Sequence, residues 1–171
     1  DLIKNNKVRA DELKNRKNKL YDEAIVAYSE IAETTKKSKQ VDDYKQRAHY
    51  KMAGIHMVRK ALDDALTHYQ AVVDIAPSGY LGSRSAGNMS TIRRNRQEIQ
   101  AELRTYRNRS LVDTPESQEV AVQALYKVAE AYVGIGDFEQ AISHYEKLVV
   151  EFKDHELASR SLYKIGNLYF Y

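Results

Sequence analysis

The amino-acid sequence predicts an all-α fold built from antiparallel helix pairs, on three observations. First, the 171 residues include only 2 Pro and 7 Gly, too few for the many tight turns of a β-sandwich or barrel. Second, one stripe of apolar residues with helical spacing recurs three times along the chain. Third, a different motif precedes two of those copies at a constant distance, so the helices are predicted to pair in a fixed register.

The first recurring motif predicts the second helix of each pair, helix B. It contains two polar residues, an Ala, a branched aliphatic residue, two variable residues and a Tyr. A large apolar residue precedes each copy and an apolar pair follows it, which places the apolar side chains on one helical face. The Ala lets a facing helix approach closely, and the Tyr fills the next gap. The three copies are residues 22–28, 63–69 and 139–145.

The second motif predicts the first helix of each pair, helix A. Two copies read Ala-X-Tyr-Lys-X-Ala, and a related third copy lies near the end of the chain. The last Ala of each full copy precedes the Ala of the following helix B by the same distance, from Ala53 to Ala65 and from Ala129 to Ala141. The copies are residues 48–53, 124–129 and 161–166.

These helix pairs resemble the tetratricopeptide repeat, which has a period of about 34 residues. The small residue between the helices, the Ala of helix B and the aromatic residue four positions later all have counterparts here. The resemblance is clearest in residues 42–77 and 115–171, and it implies a right-handed superhelical solenoid of antiparallel helix pairs. Because the chain begins at Asp1 and ends on an apolar helix face, we expect residues 1–171 to be one solenoid fragment of a longer protein.

The stretch 79–109 leaves two alternatives open. The helix-B alanines on either side of it, Ala65 and Ala141, are too far apart for one repeat, which leaves room for a divergent repeat with helix A near 79–90 and helix B near 91–108. The rival is one long helix from about 83 to 108, because only Ser90-Thr91 marks a break. Parity favours the pair, since one extra helix would reverse the alternation of helices A and B.

The same stretch is basic. Residues 84–109 contain seven Arg, no Lys and two Glu, whereas the whole chain has a net charge of +3. Arg pairs well with carboxylates and phosphates, so the segment is either a solvated helix face or a docking face for an acidic partner. Nucleic acid is not the favoured partner, because no reading motif accompanies the charge, and a membrane would be reached only by association or through an anchor outside this chain. The predicted basic face consists of Arg93, Arg94, Arg96, Arg104 and Arg107.

The resemblance also implies a partner-binding groove. In tetratricopeptide solenoids helix A lines a concave groove in which peptides or partner helices lie. Tyr50, Tyr126 and Tyr163 share one groove-facing place, where Tyr supplies contact area and a hydroxyl at low entropic cost; the alternative is that each Tyr packs between repeats. The predicted partner-binding residues are Arg47, Tyr50, Gln123, Tyr126, Glu130, Arg160, Tyr163 and Asn167. The same register also places Gly54, Met57, Val133 and Phe170 in the groove.

No catalytic, cofactor-binding or metal-binding residue is predicted. The absence of Cys excludes a Cys-based zinc site and a thiol nucleophile, and the His residues do not have the spacing of a zinc protease motif. The family's clamp for a C-terminal carboxylate is not expected either, because Tyr stands where the clamp needs Lys. The sequence therefore predicts a non-catalytic scaffold that binds a protein or peptide in its concave groove, within a multiprotein assembly. The alternative is an adaptor that uses residues 84–109 to bind nucleic acid or anionic membrane.

A finer resemblance concerns the compartment. The expanded repeat spacing and the run of residues 152–158 into 161–163 resemble the bacterial cell-envelope branch of the family, which includes the lipoprotein partner of the barrel-assembly machine and the Tol–Pal coordinator. The resemblance favours the periplasm or cell envelope over the cytoplasm.

Overall fold

The computed structural model describes the backbone of residues 2–169 and the side chains of residues 8–169, and every regular element in this part of the chain is an α-helix. The predicted all-α class, with neighbouring helices packed as in a tetratricopeptide-like solenoid, is confirmed. The helices are α1 (Leu2–Ala32), α2 (Lys39–Val58), α3 (Leu62–Ile75), α4 (Tyr80–Arg109), α5 (Pro115–Gly134), α6 (Phe138–Glu151) and α7 (Glu156–Leu168).

Residues 80–109 form one helix, so the favoured helix pair is wrong. α4 runs unbroken for 30 residues, through Ser90 and Thr91. Neither residue forces the backbone out of the helical region as Pro does, and buried apolar side chains on both sides of this point, Met89 and Ile92, hold the helix in place. The strict alternation of helices A and B does not hold, because long helices alternate with helix pairs: α1 has 31 residues and α4 has 30.

The helix boundaries recur at a constant interval along the chain. α2 begins at 39 and α5 at 115, α3 begins at 62 and α6 at 138, and α4 begins at 80 and α7 at 156. The helices of the first two pairs also end at the same interval. The sequence Leu-X-Ser-Arg-Ser stands at 81–85 and again at 157–161. The start of α4 therefore corresponds to α7, and the chain contains an internal duplication whose repeating unit holds three helices.

The chain forms two compact units, Asp1–Met89 and Ser90–Tyr171. In the first unit, α2 packs against both α1 and α3. The two alanines at which helices A and B were predicted to meet, Ala53 and Ala65, are fully buried. Arg59 ties the end of α2 to α1, because its Nη2 donates to the Asn18 carbonyl at 2.7 Å and lies 2.8 Å from Asp22 Oδ1.

The start of α4 completes the first unit. Ser85 and Met89 are buried there, and Gly82 lies against the chain that leaves α3. A Cβ at Gly82 would stand 2.7 Å from the Pro77 carbonyl oxygen and 2.9 Å from its carbonyl carbon. Because these are backbone atoms that cannot rotate away, only glycine permits this approach.

In the second unit, α6 packs against both α5 and α7. One core cluster contains Val122, Leu125, Leu148 and Ala158, with Tyr106 of α4 packed against it. A second cluster contains Ala129, Ala141 and Tyr145. As in the first unit, the predicted alanines at the crossing of helices A and B are fully buried.

Side chains at the helix starts explain several of the boundaries. Thr114 accepts a hydrogen bond from the Ser117 amide at 3.3 Å, and Pro115 occupies the first turn of α5, where its missing N–H removes no intrahelical bond. Asp137 accepts from the Gln140 amide at 3.4 Å at the start of α6. The turn before it uses Gly136, whose φ of 76° lies in the left-handed region that favours glycine.

Candidate partner-binding grooves

Each unit contains a recess between its helix A and the helix that starts after helix B. The first groove, with a volume of about 560 Å³, lies between α2 and the start of α4, and the second, of about 340 Å³, lies between α5 and the start of α7. The first groove is lined by Asp43, Gln46, Arg47, Tyr50, Lys51, Gly79, Tyr80 and Leu81. The second is lined by Glu119, Gln123, Tyr126, Lys127, His155, Glu156, Leu157 and Arg160.

The tyrosine of each groove both lines the recess and packs on helix B. The ring of Tyr50 meets the ring of Tyr69 edge to face at a centroid distance of 5.9 Å, and Tyr126 meets Tyr145 in the same way at 5.6 Å. Aromatic pairs favour this geometry, because the positive edge of one ring faces the negative face of the other. Both contacts join helix A to helix B of the same repeat, so each tyrosine takes part in the packing of its own helix pair and also lines the recess.

The floor of the first groove is held by a buried glutamine. Gln46 Nε2 donates to the carbonyls of Val72 at 3.1 Å and Ala76 at 3.2 Å. The Val72 carbonyl, in the last turn of α3, also accepts the Ala76 amide at 3.3 Å, while the Ala76 carbonyl lies just past the end of the helix. The side chain of Gln46 thus joins the end of helix B to helix A beneath the groove.

Cations dominate the first groove. Arg47 Nε lies 3.0 Å from Asp43 Oδ2. At its edge, Arg84 Nη1 donates to the Tyr80 hydroxyl at 2.6 Å, and its guanidinium lies 5.9 Å from the centre of the Tyr80 ring. Lys51 is exposed and has no carboxylate partner among the described side chains.

In the second groove, the charged side chains are matched. Glu119 Oε2 lies 2.8 Å from His155 Nε2, and Gln123 Nε2 donates to Glu119 Oε1 at 2.7 Å. These hydrogen bonds, first from His155 and then from Gln123, hold the pKa of Glu119 below its usual value. Lys127 pairs with Glu102 of α4 at 3.1 Å, and Arg160 lies 3.7 Å from Glu156.

His155 also starts helix α7. Its Nδ1 accepts from the Leu157 amide at 3.1 Å, so Nε2 is the nitrogen that carries the proton and donates to Glu119. One imidazole therefore joins helix A to the following helix and fixes the lip of the second groove.

Glu130 lies in an internal network. The Tyr145 hydroxyl donates to Glu130 Oε1, and Lys164 Nζ lies 3.0 Å from the same oxygen. The hydrogen bond to Glu130 raises the pKa of Lys164, while burial and then Glu130 raise the pKa of Tyr145. The network joins α5, α6 and α7, so Glu130, which was predicted to contact a partner, is already bonded within the chain.

The remaining predicted groove residues are distributed as follows. Tyr163 is 71% exposed and Asn167 is also exposed, both on α7, while Phe170 lies outside the described residues. The recesses bring together Arg47 and Tyr50 in one unit and Gln123, Tyr126 and Arg160 in the other. Sequence reasoning missed the residues at the lips, which include Lys51, Tyr80, Lys127 and His155. The repeated Leu-X-Ser-Arg-Ser would have pointed to Tyr80 and His155, because it aligns the start of α4 with α7, whereas Lys51 and Lys127 already stood within the Ala-X-Tyr-Lys-X-Ala motif.

The five arginines of the predicted basic face all lie on α4. Arg93, Arg96, Arg104 and Arg107 follow one another at helical spacing along one side, and Arg94 projects about 100° away. Arg96 is half-buried and takes part in an interaction within the chain. The other four are exposed and have no carboxylate partner among the described side chains: Arg93, Arg94, Arg104 and Arg107.

Among the described residues, no group of three or more His, Asp or Glu side chains is arranged to hold a metal ion. Nor does any described helix combine the length and apolar character needed to span a bilayer.

Comparison with known proteins agrees with the repeat register. Residues 123–155, which contain most of α5 and all of α6, match the family model of the tetratricopeptide repeat. This match supports the tetratricopeptide family, whose repeats generally mediate protein–protein interaction and scaffolding. Searches of curated proteins and of solved structures found no match.

Proposed function

We propose that this chain is a non-catalytic scaffold that binds extended segments of partner proteins in the first and second grooves, as part of a multiprotein assembly. The observation that carries the proposal is the recurrence of one recess in both units. Both grooves have a Tyr and a Lys from helix A and a Leu at the start of the next helix, at equivalent positions of the internal duplication. These side chains offer an aromatic surface, a hydroxyl and a charge beside one another, a combination suited to holding a peptide.

The second groove lets peptide binding be tested without disturbing the core. Arg160 and Tyr163 project from α7 and are exposed, so replacing either by Ala should leave the fold intact. Tyr126 is half-buried and contacts both core clusters, so Tyr126→Phe is the variant that keeps its packing while removing its hydroxyl.

The experiment is selection of a displayed peptide library on the purified chain, followed by affinity measurements on the selected peptides. Peptides bound in the second groove should bind Arg160→Ala about tenfold more weakly, and Tyr163→Ala tests whether they extend along α7 beyond the groove lining. Arg104→Ala, which removes an exposed Arg outside both grooves, is the matched control, and circular dichroism checks that each variant stays helical. The proposal fails if no peptide is enriched, or if every selected peptide binds Arg160→Ala and the first-groove variant Lys51→Gln with Arg84→Gln as well as it binds the unaltered chain.

A second candidate function rests on the four exposed arginines of α4. Their side chains carry no intramolecular carboxylate among the described residues, so an adaptor that binds nucleic acid or anionic membrane through this face is the alternative. Binding to double-stranded DNA or to phosphatidylserine vesicles would then fall steeply with salt, because phosphate contacts release counterions. The variant Arg93→Gln with Arg104→Gln should reduce the slope of that salt dependence. An affinity that changes neither with salt nor in this variant would contradict this candidate function.

We further propose a location in the bacterial cell envelope, from the resemblance of residues 152–163 to that branch of the family. Fractionation of cells that express the full-length protein tests this location. Recovery in the cytosolic fraction alone would contradict it.

A further inference from the structure

We propose that the first groove selects an acidic extended segment, with carboxylates at alternate positions, and that the second groove does not. This inference rests on the proposed function and names the partner chemistry of one of its two sites.

The charges around the two grooves differ although the grooves are equivalent in position. The first groove and its edge have three cations, Arg47, Lys51 and Arg84, and one carboxylate, Asp43, which already pairs with Arg47. The second groove has two cations and two carboxylates at the matching positions. Two exchanges cause the difference: Gln123 stands where the first groove has Arg47, and Glu156 stands where it has Tyr80.

The pairing of these charges sharpens the contrast. In the second groove, Lys127 and Arg160 each have a carboxylate partner and Glu119 has His155. In the first groove, Lys51 has no carboxylate partner among the described side chains, and Arg84 donates to the neutral hydroxyl of Tyr80. An incoming carboxylate would therefore gain ion pairs with Lys51 and Arg84 in the first groove, whereas both cations of the second groove, Lys127 and Arg160, already have carboxylate partners.

Two glycines leave room for a ligand in the first unit. Gly54 stands where the second unit has Glu130, and Gly87 where it has Tyr163. A Cβ at either glycine would meet nothing within 4 Å. The first unit thus lacks the carboxylate and the large ring that the second unit has at these positions, and its groove is the larger of the two.

The spacing of the cations indicates the conformation of the ligand. Arg47 and Lys51 are one helical turn apart, which separates their Cβ atoms by about 6 Å. In an extended peptide, residues i and i+2 point to the same side and lie about 6.5 Å apart. Acidic residues at alternate positions would face both cations together, while Arg84, held beside Tyr80, offers a planar guanidinium to a third carboxylate.

The test uses two fluorescent peptides that alternate Ser with Glu or Ser with Gln, and fluorescence anisotropy with the whole chain. The Glu peptide should bind at least about tenfold more tightly than the Gln peptide. Its affinity should fall at least about tenfold in Lys51→Gln with Arg84→Gln. Arg160→Gln, in the second groove, should change it less than about twofold.

Three results would overturn the inference. Equal binding of the Glu and Gln peptides would show that charge is not recognised, yet the groove would remain a peptide site. Loss of binding in Arg93→Gln with Arg104→Gln, but not in the groove variant, would assign the acidic segment to the basic face of α4. Absence of binding by the Glu peptide would remove the acidic ligand, while the library selection independently decides whether the grooves bind peptides at all.

Discussion

Lys60 and Gly136 show how the same turn tolerates different residues in the two units. They are equivalent positions, 60 and 136, in the turns that join α2 to α3 and α5 to α6. Both adopt a left-handed backbone, with φ of 61° for Lys60 and 76° for Gly136. This region costs a non-glycine residue roughly 1–2 kcal/mol, because its Cβ approaches the following carbonyl oxygen. The first unit therefore stores strain that the second unit avoids.

We predict that Lys60→Gly stabilises the chain by about 1 kcal/mol, because glycine adopts this conformation without a steric penalty but has more backbone freedom to lose on folding. The reciprocal variant Gly136→Ala should destabilise by a similar amount. Urea denaturation followed by circular dichroism measures both. A lower unfolding free energy for Lys60→Gly would mean that the interactions of the Lys60 side chain outweigh the relief of strain.

At the residue scale, the repeat register identified the packing positions but not their partners. The alanines and tyrosines of helix B lie where the pattern predicted, and Tyr145 is fully buried, because periodicity alone decides which side of a helix faces its neighbour. Glu130 could not be assigned in the same way. Its bond to Lys164 joins two helices that are distant in sequence, and a single sequence with no alignment contains no signal for such a pair.

At the scale of elements, α4 shows where reasoning from a family period fails. A period of about 34 residues predicted a break near Ser90, but residues 88–109 contain neither Pro nor Gly to stop the helix. The helix continues because apolar residues on one face remain buried along it, as Met89, Ile92 and Ile99 are. The presence of a helix here was predictable from composition. Its length was not, because it depends on the burial of apolar side chains before and after the expected break.

The first part of α1 is a helix without a packed face. Every side chain from residue 8 to residue 20 is exposed, including Leu13 at 60% and Leu20 at 57%. Packing begins at Tyr21, where the ring lies beside the Arg59 guanidinium at 5.6 Å. An isolated helix of this length is marginal in water, since most helical stability in proteins comes from tertiary contacts.

We therefore predict that the backbone amides of residues 8–17 exchange with deuterium much faster than those of residues 24–32, although all of them are helical in the structure. Local opening of an unpacked segment costs little free energy, so its amides should be protected far less. Hydrogen exchange read by NMR on the whole chain measures this difference. Equal protection along α1 would show that the exposed face is covered in solution, for example by another molecule.

In the chain as a whole, the internal duplication explains why both the helix lengths and the groove recur. Helices α2 and α3 and the start of α4 recur as α5, α6 and α7, with the same lengths for the two complete pairs. Each groove forms where helix A meets the start of the third helix, so the geometry of the recess is copied with the helices. Several lining side chains are not copied, among them Arg47 and Tyr80 of the first groove, which correspond to Gln123 and Glu156 of the second. The same arrangement of helices therefore presents two different charge patterns.

Histidines lie between helices A and B in both units. In the first, His49 Nδ1 lies 3.1 Å from His68 Nδ1, and His56 stacks on His68 at a centroid distance of 5.2 Å. Lys45 and Asp64 are the charged groups that act on this cluster most directly. In the second unit, His144 packs edge to face against Tyr132.

Burial lowers the pKa of His49, His68 and His144 below the usual value of 6.5. Smaller contributions in the same direction come from Lys45 for His49, from the neighbouring imidazoles for His68 and from Lys147 for His144. Asp64 opposes the shift in the pKa of His68. The native state therefore binds fewer protons than the unfolded chain just below the ordinary histidine pKa, where the unfolded imidazoles become charged.

We predict that the free energy of unfolding decreases as the pH falls from about 7.5 to about 5.5, through the ordinary histidine pKa of about 6.5. A group with a lowered native pKa stabilises the fold fully above its unfolded pKa and loses that contribution as the pH approaches its folded pKa. Urea denaturation at constant ionic strength measures the decrease. Glu119, whose pKa is also lowered, acts only in the more acidic range near the usual carboxyl pKa of about 4.3, so it does not affect this window.

The variant His49→Leu tests whether the histidines of the first unit cause this pH dependence. Leu is the replacement of choice, because Leu125 occupies the equivalent position in the second unit. The variant removes one titrating imidazole and the like charge that would oppose protonation of His68, so the decrease in unfolding free energy over this pH range should become smaller. His155→Gln is the control, since His155 lies outside both clusters, beside Glu119. An unfolding free energy that stays level or increases as the pH falls over this range in the unaltered chain would contradict the prediction. An unchanged pH dependence in His49→Leu would mean that other groups take up the protons.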